Sequence, residues 1–133
     1  MNQRVVVLVD DDGPLRELLE SYLRKKGFVV HGFSDFGSAL VAVELLEKVD
    51  ILIADYRYSR GFLDGVEFIE WGVGIRNDFG ALVLISSMPE AKERAERSSI
   101  LIDFLQKPNL VNLYSAKKFA ESLVLLVNRL QRE

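Results

Sequence analysis

The sequence predicts a three-layer α/β/α sandwich built around a parallel sheet of five strands. Five short apolar runs rich in branched residues alternate with longer stretches that carry apolar residues at helical spacing. The short runs show little alternation, which is typical of strands covered on both faces. Short connections between the runs favour parallel strands joined by right-handed crossovers, so helices are expected on both faces of one sheet.

The first part of the chain predicts three strands and two helices. The first helix begins at Pro14, which suits a first helical turn, and ends before Gly27, a favourable C-terminal cap. Ser34 or Asp35 can cap the second helix. The expected strands are residues 4–9, 28–33 and 50–54, and the second helix is expected to turn Leu40, Val43 and Leu46 inward.

The second part of the chain predicts three helices and two strands, at residues 81–85 and 100–105. The third helix, residues 66–75, contains Gly72 and Gly74. Each glycine costs about 1 kcal/mol relative to alanine in a helix interior, so we expect this helix to be short or frayed. Pro89 opens a charged fourth helix, and Ser115 is the expected cap of the last helix, which runs to Leu130.

Composition argues against several functional classes. The formal net charge is −3 and the basic residues are scattered, so we expect no direct nucleic-acid binding. With no cysteine and with His31 as the one histidine, the chain has no disulfide, thiolate metal site or histidine cluster. Its longest apolar runs, of five residues, are far shorter than a membrane span, and the amino terminus resembles no secretory signal. We expect one cytoplasmic domain, residues 1–133, without membrane contact.

Polar side chains follow the strands, at the edge of an open parallel sheet where ligands bind. Clustered carboxylates repel one another unless a cation lies among them, and oxygen ligands favour Mg²⁺. Together with an ammonium and a hydroxyl, such a site can orient a phosphoryl group, and one carboxylate can act as the nucleophile that forms an acyl phosphate. The residues concerned are Asp10, Asp11 and Asp12 after the first strand, Asp55 after the third, Ser86 after the fourth and Lys107 after the fifth.

These motifs resemble the receiver domains of two-component response regulators over almost the whole chain. Residues 7–19 resemble the family's first strand, acidic pair and first helix. Each motif is weak alone, but five in the family's order are specific. The resemblance implies a flavodoxin-like fold with strand order 2-1-3-4-5. The other landmarks are residues 50–55, 64–65, 84–86 and 103–108.

The resemblance also implies a phosphoacceptor and a metal site. Asp55 would accept a phosphoryl group from a phosphohistidine on a sensor histidine kinase or a histidine phosphotransfer protein. Asp11 and Asp55 would bind Mg²⁺ directly, and Asp10 would act mainly through water. The backbone carbonyl of Arg57 would complete the protein ligands.

A binding and switching role is implied for three further residues. Lys107 would pair with the phosphoryl oxygens, Ser86 would be the switch hydroxyl, and Phe104 would be the aromatic switch. The Lys107–Pro108 bond would be cis. The loop after the phosphoacceptor is longer than is usual in the family and lacks its common proline, so Arg57 would alter access to the site, as would Arg60.

The last helix predicts a partner surface. One stripe facing the sheet accounts for Leu123, Leu126, Val127 and Leu130, so we expect Leu125 and Val124 to be exposed. Strands four and five with this helix would then form a homodimer or partner face.

Three functions are compatible with the sequence. The leading hypothesis is a phosphorylated signalling receiver that acts on a downstream protein and is not an enzyme in the ordinary sense. The second is an aspartate-nucleophile phosphatase of the haloacid-dehalogenase type, since Asp10 and Asp12 form an Asp-x-Asp motif with Asp10 as nucleophile. The third is a receiver-like binding module that is never phosphorylated.

Overall fold

Five parallel strands form one sheet in the order β2-β1-β3-β4-β5. The computed structural model describes residues 3–56 and 63–130. Both the sheet and its strand order confirm the fold that the sequence predicts. In chain order the elements are β1 Val5–Val9, α1 Gly13–Lys25, β2 Val29–Phe33, α2 Phe36–Leu45, β3 Ile51–Asp55, α3 Gly65–Ile75, β4 Ala81–Ser86, α4 Pro89–Glu96, β5 Asp103–Gln106 and α5 Leu113–Leu130.

The sheet separates two apolar cores. Successive side chains of a strand point to opposite faces, so Leu8 packs towards α1 and α5 whereas Val7 and Val9 pack towards α2, α3 and α4. The central strands β1, β3 and β4 are almost completely buried, which explains why their sequences show no polar alternation. None of the helices in the described ranges is long and apolar enough to cross a membrane.

Side-chain caps set the starts of the first two helices. The Asp12 carboxylate accepts a hydrogen bond from the backbone N of Leu15 at 3.1 Å. Of the two residues that could cap α2, Asp35 does so, accepting from the backbone N of Ser38 at 2.7 Å. Gly27 follows α1 with a φ of 93°, a conformation that glycine adopts without strain.

The expectation of a short or frayed third helix is wrong, because α3 is continuous over 11 residues. A Cβ at Gly72 would lie 3.0 Å from the side chain of Leu52, so the glycine allows α3 to approach β3 closely. The helix also begins with a capping box between Asp64 and Glu67. Packing and capping therefore outweigh the low helix propensity of its glycines.

The last strand and helix also differ from their predicted bounds. Ile100 and Ile102 pack against the core without joining the ladder, so β5 begins only at Asp103. The Asn112 side chain accepts from the backbone N of Ser115 at 2.9 Å, so α5 is capped by Asn112 rather than by Ser115.

Candidate functional site

Three carboxylates meet at the carboxyl edge of the sheet. Asp10, Asp11 and Asp55 each offer an oxygen, and these oxygens lie within 4.8 Å of one another. The parallel register explains the meeting, because Val9 pairs with Ala54 and the residues that follow them lie side by side. The Asp10 side chain is 1% exposed and that of Asp55 is 15% exposed, whereas Asp11 faces solvent.

Lys107 joins two of these acids. Its Nζ donates to Oδ2 of Asp10 at 2.9 Å and to Oδ1 of Asp55 at 2.8 Å. The backbone N of Lys107 donates to the carbonyl O of Ser86 at 2.8 Å. This bond extends the β4–β5 ladder and so fixes the backbone from which the Lys107 side chain reaches the two acids. The implied cis bond before Pro108 is wrong: that bond is trans, the isomer that X–Pro bonds still prefer by about 0.5–1 kcal/mol.

The site carries more negative than positive charge. Burial raises the pKa of Asp55 to about 6; Lys107 opposes that rise, and the charges of Asp10 and Asp11 add to it. For Lys107, burial lowers the pKa, but the charges of Asp10 and Asp55 outweigh burial and raise it overall. One ammonium therefore only partly compensates three carboxylates. An all-oxygen donor set with unbalanced negative charge fits Mg²⁺.

Asp10 is held at both side-chain oxygens. Oδ1 accepts from the backbone N of Asp12 at 3.0 Å, and Oδ2 accepts from Lys107. A guanidinium N–H of Arg16 donates to the backbone O of Asp10 at 2.8 Å. Sequence reasoning missed this contact. The signal that could have indicated it is the position of Arg16, about one helical turn after the Asp12 cap. Both acids of the Asp-x-Asp motif are thus engaged, Asp10 by Lys107 and the backbone N of Asp12, and Asp12 by the start of α1.

Ser86 lies beside the acids on the neighbouring strand. Ile85 pairs with Asp55, so Ser86 is one residue further along the same edge. Its side chain is buried, and its Oγ accepts from the backbone N of Met88 at 3.0 Å, directly before α4. The hydroxyl thus contacts the start of a helix and belongs to the same sheet edge as the acids.

The start of α3 is pressed against the end of β3. The backbone N of Gly65 donates to the carbonyl O of Tyr56 at 2.6 Å. A Cβ at Gly65 would overlap with the backbone O of Asp55, so no larger residue fits there without moving the phosphoacceptor candidate. The preceding Asp64 forms an ion pair with Arg94 of α4 at 3.4 Å. Residues 64–65 are one of the landmarks on which the resemblance to receiver domains rests, and sequence reasoning did not foresee this close approach.

Comparisons with known proteins agree with this fold. The chain resembles the chemotaxis protein CheY4 of Vibrio cholerae (TM-score 0.74, 20% identity, 97% of this chain and 99% of that one). It also resembles a response regulator receiver protein from Sinorhizobium medicae (TM-score 0.76, 22% identity, 97% and 94%) and the BeF3-activated DrrB receiver domain (TM-score 0.76, 16% identity, 99% and 100%). The chain has the receiver-domain fold.

Sequence comparison gives a shorter match. The chain is 39% identical over 74 residues to the transcriptional regulatory protein GltR of Pseudomonas aeruginosa. The match covers 53% of the chain but only 28% of the length of that relative. No protein-family model matches the chain.

One other predicted site residue lies within the described residues. Phe104, on β5, is half-buried against the core that underlies α2, α3 and α4. Arg57, whose backbone carbonyl the resemblance assigns to the metal, lies outside the described residues, as does Arg60.

The outward surface of α5 is narrower than the sequence predicts. Leu125 is 70% exposed, but Val124 is only 5% exposed, so the expectation that Val124 is exposed is wrong. Helix α5 packs against α1 as well as against the sheet, and Val124 belongs to the core between these elements. The prediction of a single stripe facing the sheet therefore underestimates how much of the surface of α5 is buried.

Proposed function

We propose that this chain is the phosphoacceptor receiver domain of a two-component phosphorelay, with residues 1–133 forming one domain. The observation that supports this most directly is the position of Lys107, whose ammonium lies between Asp10 and Asp55 at 2.9 and 2.8 Å. Of the two acids, Asp55 is the more accessible and is bonded to the lysine through Oδ1. It is therefore the proposed nucleophile.

In the proposed reaction, a carboxylate oxygen of Asp55 attacks the phosphorus of a phosphohistidine. The P–O bond forms, the P–N bond breaks, and its electron pair returns to the imidazole nitrogen of the donor. Lys107, whose Nζ lies 2.8 Å from Oδ1 of Asp55, would neutralise phosphoryl oxygens there. Asp10, Asp11 and Asp55, with the backbone carbonyl of Arg57, would hold Mg²⁺, which supplies further neutralisation of phosphoryl charge when bound.

The proposed output is a changed protein-binding surface. If the Ser86 side chain rotates to donate to a phosphoryl oxygen, its Oγ leaves the backbone N of Met88, and the start of α4 loses a hydrogen bond. Phe104 is the aromatic residue proposed to follow this change. The proposed donor is a sensor histidine kinase or histidine phosphotransfer protein in the cytoplasm. The recipient is a downstream protein or a second copy meeting the β4, β5 and α5 face, without nucleic acid or membrane.

Labelling with acetyl phosphate and Mg²⁺, read by intact mass and peptide mapping, tests the proposal. The wild type is expected to gain one phosphoryl group on Asp55, and Asp55→Asn to gain none. Asp12→Asn is the matched control, because asparagine caps a helix as well as aspartate does. A phosphoryl group mapped to Asp10 would support the phosphatase hypothesis. Failure both to label and to bind Mg²⁺ would overturn the proposal in favour of a binding module.

A further inference from the structure

Helices α2 and α3 expose large apolar side chains on their outward sides. On α2, Val41 and Leu45 lie one turn apart, and on α3, Trp71 and Ile75 do the same. All four are exposed, Leu45 at 75% and Trp71 at 57%. The two helices pack against each other. We name these four residues the α2–α3 surface.

The exposed residues of α3 lie on the side of that helix that faces α2. The ring of Phe68 stacks on Phe36 of α2, with centroids 4.7 Å apart. Ile75 lines a groove of about 720 Å³ that Glu44 of α2 also lines. Trp71 follows Phe68 by three residues and precedes Ile75 by four, so it shares their stripe. The apolar side chains of α3 therefore border a groove between the two helices.

The groove has an acidic rim. Helices α2 and α3 contain three glutamates and no lysine or arginine, whereas α1, α4 and α5 each contain at least two basic residues. Glu44 and the nearby Glu47 are exposed, and neither forms an ion pair within the described ranges. Arg76, the basic residue that lines the groove, is already bound by Asp78 and by backbone carbonyls at the end of α2. The negative charge of the rim is therefore uncompensated.

Shape and charge together select the occupant. A groove between two helices with apolar residues one turn apart suits a third, amphipathic helix. Helix α2 has ten residues and is about 15 Å long, so a helix of about three turns covers the surface. Lysine or arginine beside the apolar stripe of that helix would complement Glu44. A second copy presenting the same surface, or an anionic membrane, would instead bring negative charge against the acidic rim.

We propose that the α2–α3 surface is the docking site for a basic amphipathic helix of a partner protein. The apolar stripe of the partner covers Leu45 and Trp71, and one of its basic side chains pairs with Glu44. This goes beyond the proposed function, because the surface lies on α2 and α3 rather than on the β4, β5 and α5 face. It does not depend on phosphorylation of Asp55.

Fluorescence titration tests the proposal directly, because Trp71 is the one tryptophan of the chain. The probe is a synthetic peptide of about 14 leucine and lysine residues, patterned as an amphipathic helix of about four turns. It is expected to shift the emission of Trp71 to shorter wavelength in a saturable manner, with an affinity that falls as salt is added. A peptide with glutamate in place of every lysine is expected to cause no shift.

Two pairs of matched variants locate the binding. Glu44→Lys is expected to raise the dissociation constant of the basic peptide about fivefold to tenfold, since an attractive pair becomes repulsive. Glu121→Lys makes the same charge change at an exposed position of α5 and should bind like the wild type. Leu45→Ser is expected to raise the dissociation constant about tenfold through lost apolar burial, whereas Leu125→Ser, on α5, should not. Circular dichroism checks that every variant is folded.

Four results would overturn the proposal. They are an emission spectrum that the basic peptide leaves unchanged, equal binding of the acidic peptide, equal weakening by a variant and its matched control, and a shift with protein concentration in the absence of peptide. The last result would mean that a second copy covers Trp71. Since no phosphoryl donor is present, each result is distinct from a failure of Asp55 labelling.

Discussion

Replacement of Asp55 by asparagine is expected to stabilise the metal-free protein at neutral pH. Asp55 is 15% exposed and shares its surroundings with two other carboxylates. Ionising it in the folded state therefore costs more than ionising it in the unfolded chain. Asparagine keeps the shape and removes the charge, and Lys107 retains Asp10 as a partner.

The size and sign of the effect follow from the pKa. Burial, as the largest cause, raises the pKa of Asp55 from 3.8 to about 6. Stability contributed by a group with a raised pKa is fully present below its unfolded pKa, here about pH 4, and is lost as the pH rises through about 6. Each unit of difference between the folded and the unfolded pKa corresponds to about 1.4 kcal/mol, so the wild type loses about 3 kcal/mol of stability as Asp55 ionises. The asparagine variant has no carboxyl group there and does not lose this stability.

Urea unfolding in EDTA at about pH 4 and about pH 7.5 measures this difference. The variant is expected to match the wild type at the lower pH and to be about 2–3 kcal/mol more stable at the higher pH. Asp35→Asn, which replaces a half-buried N-cap by another good one, is the control and should show no such gain. A variant that is less stable at the higher pH, or a gain that is the same at both, would refute the reasoning.

Three other predictions concern the support of the site. Gly65→Ala is expected to destabilise the fold by more than about 2 kcal/mol, because the added Cβ would overlap with backbone atoms. Gly74→Ala in the same helix is the control: its Cβ has open space, so it should stabilise the fold by about 0.5–1 kcal/mol. Equal effects of the two substitutions in urea unfolding would contradict this. Arg76→Ala is expected to cost about 1–3 kcal/mol in thermal unfolding, since the guanidinium donates to three backbone carbonyls at the end of α2; an unchanged Tm would exclude that role. Lys107→Met is expected to tighten Mg²⁺ binding several-fold by calorimetry, because it leaves the acids uncompensated; weaker binding would show that the lysine organises the metal site.

The convergence of the acids was predictable from sequence, but several details were not. Asp10 and Asp55 each end a buried apolar run, and parallel strands end at the same edge, so local signals were sufficient. The start of β5 was not predictable in this way. Ile102 has the residue type of a strand but packs against the core before the ladder begins at Asp103. Tertiary packing, which a local pattern does not contain, decided that boundary.

The error at Val124 has a different physical origin. Helical spacing shows which residues share a face, but not how many neighbours a helix has. Helix α5 has two, the sheet and α1, and the second neighbour buries Val124. Of the two residues that the sequence predicts to be exposed, Leu125 is, at 70%, and Val124 is not.

The packing of α4 suggests why a small change at the site can have a structural effect. The buried residues of α4 are two alanines, Ala91 and Ala95, whereas α1 buries three leucines. Because the free energy of apolar burial scales with area, a displacement of α4 costs less than one of α1. The start of α4 is tied to Ser86 by one hydrogen bond from Met88. In the proposed function, a phosphoryl group on Asp55 attracts the Ser86 hydroxyl. It therefore acts on α4, the helix that is held in place by the least apolar burial.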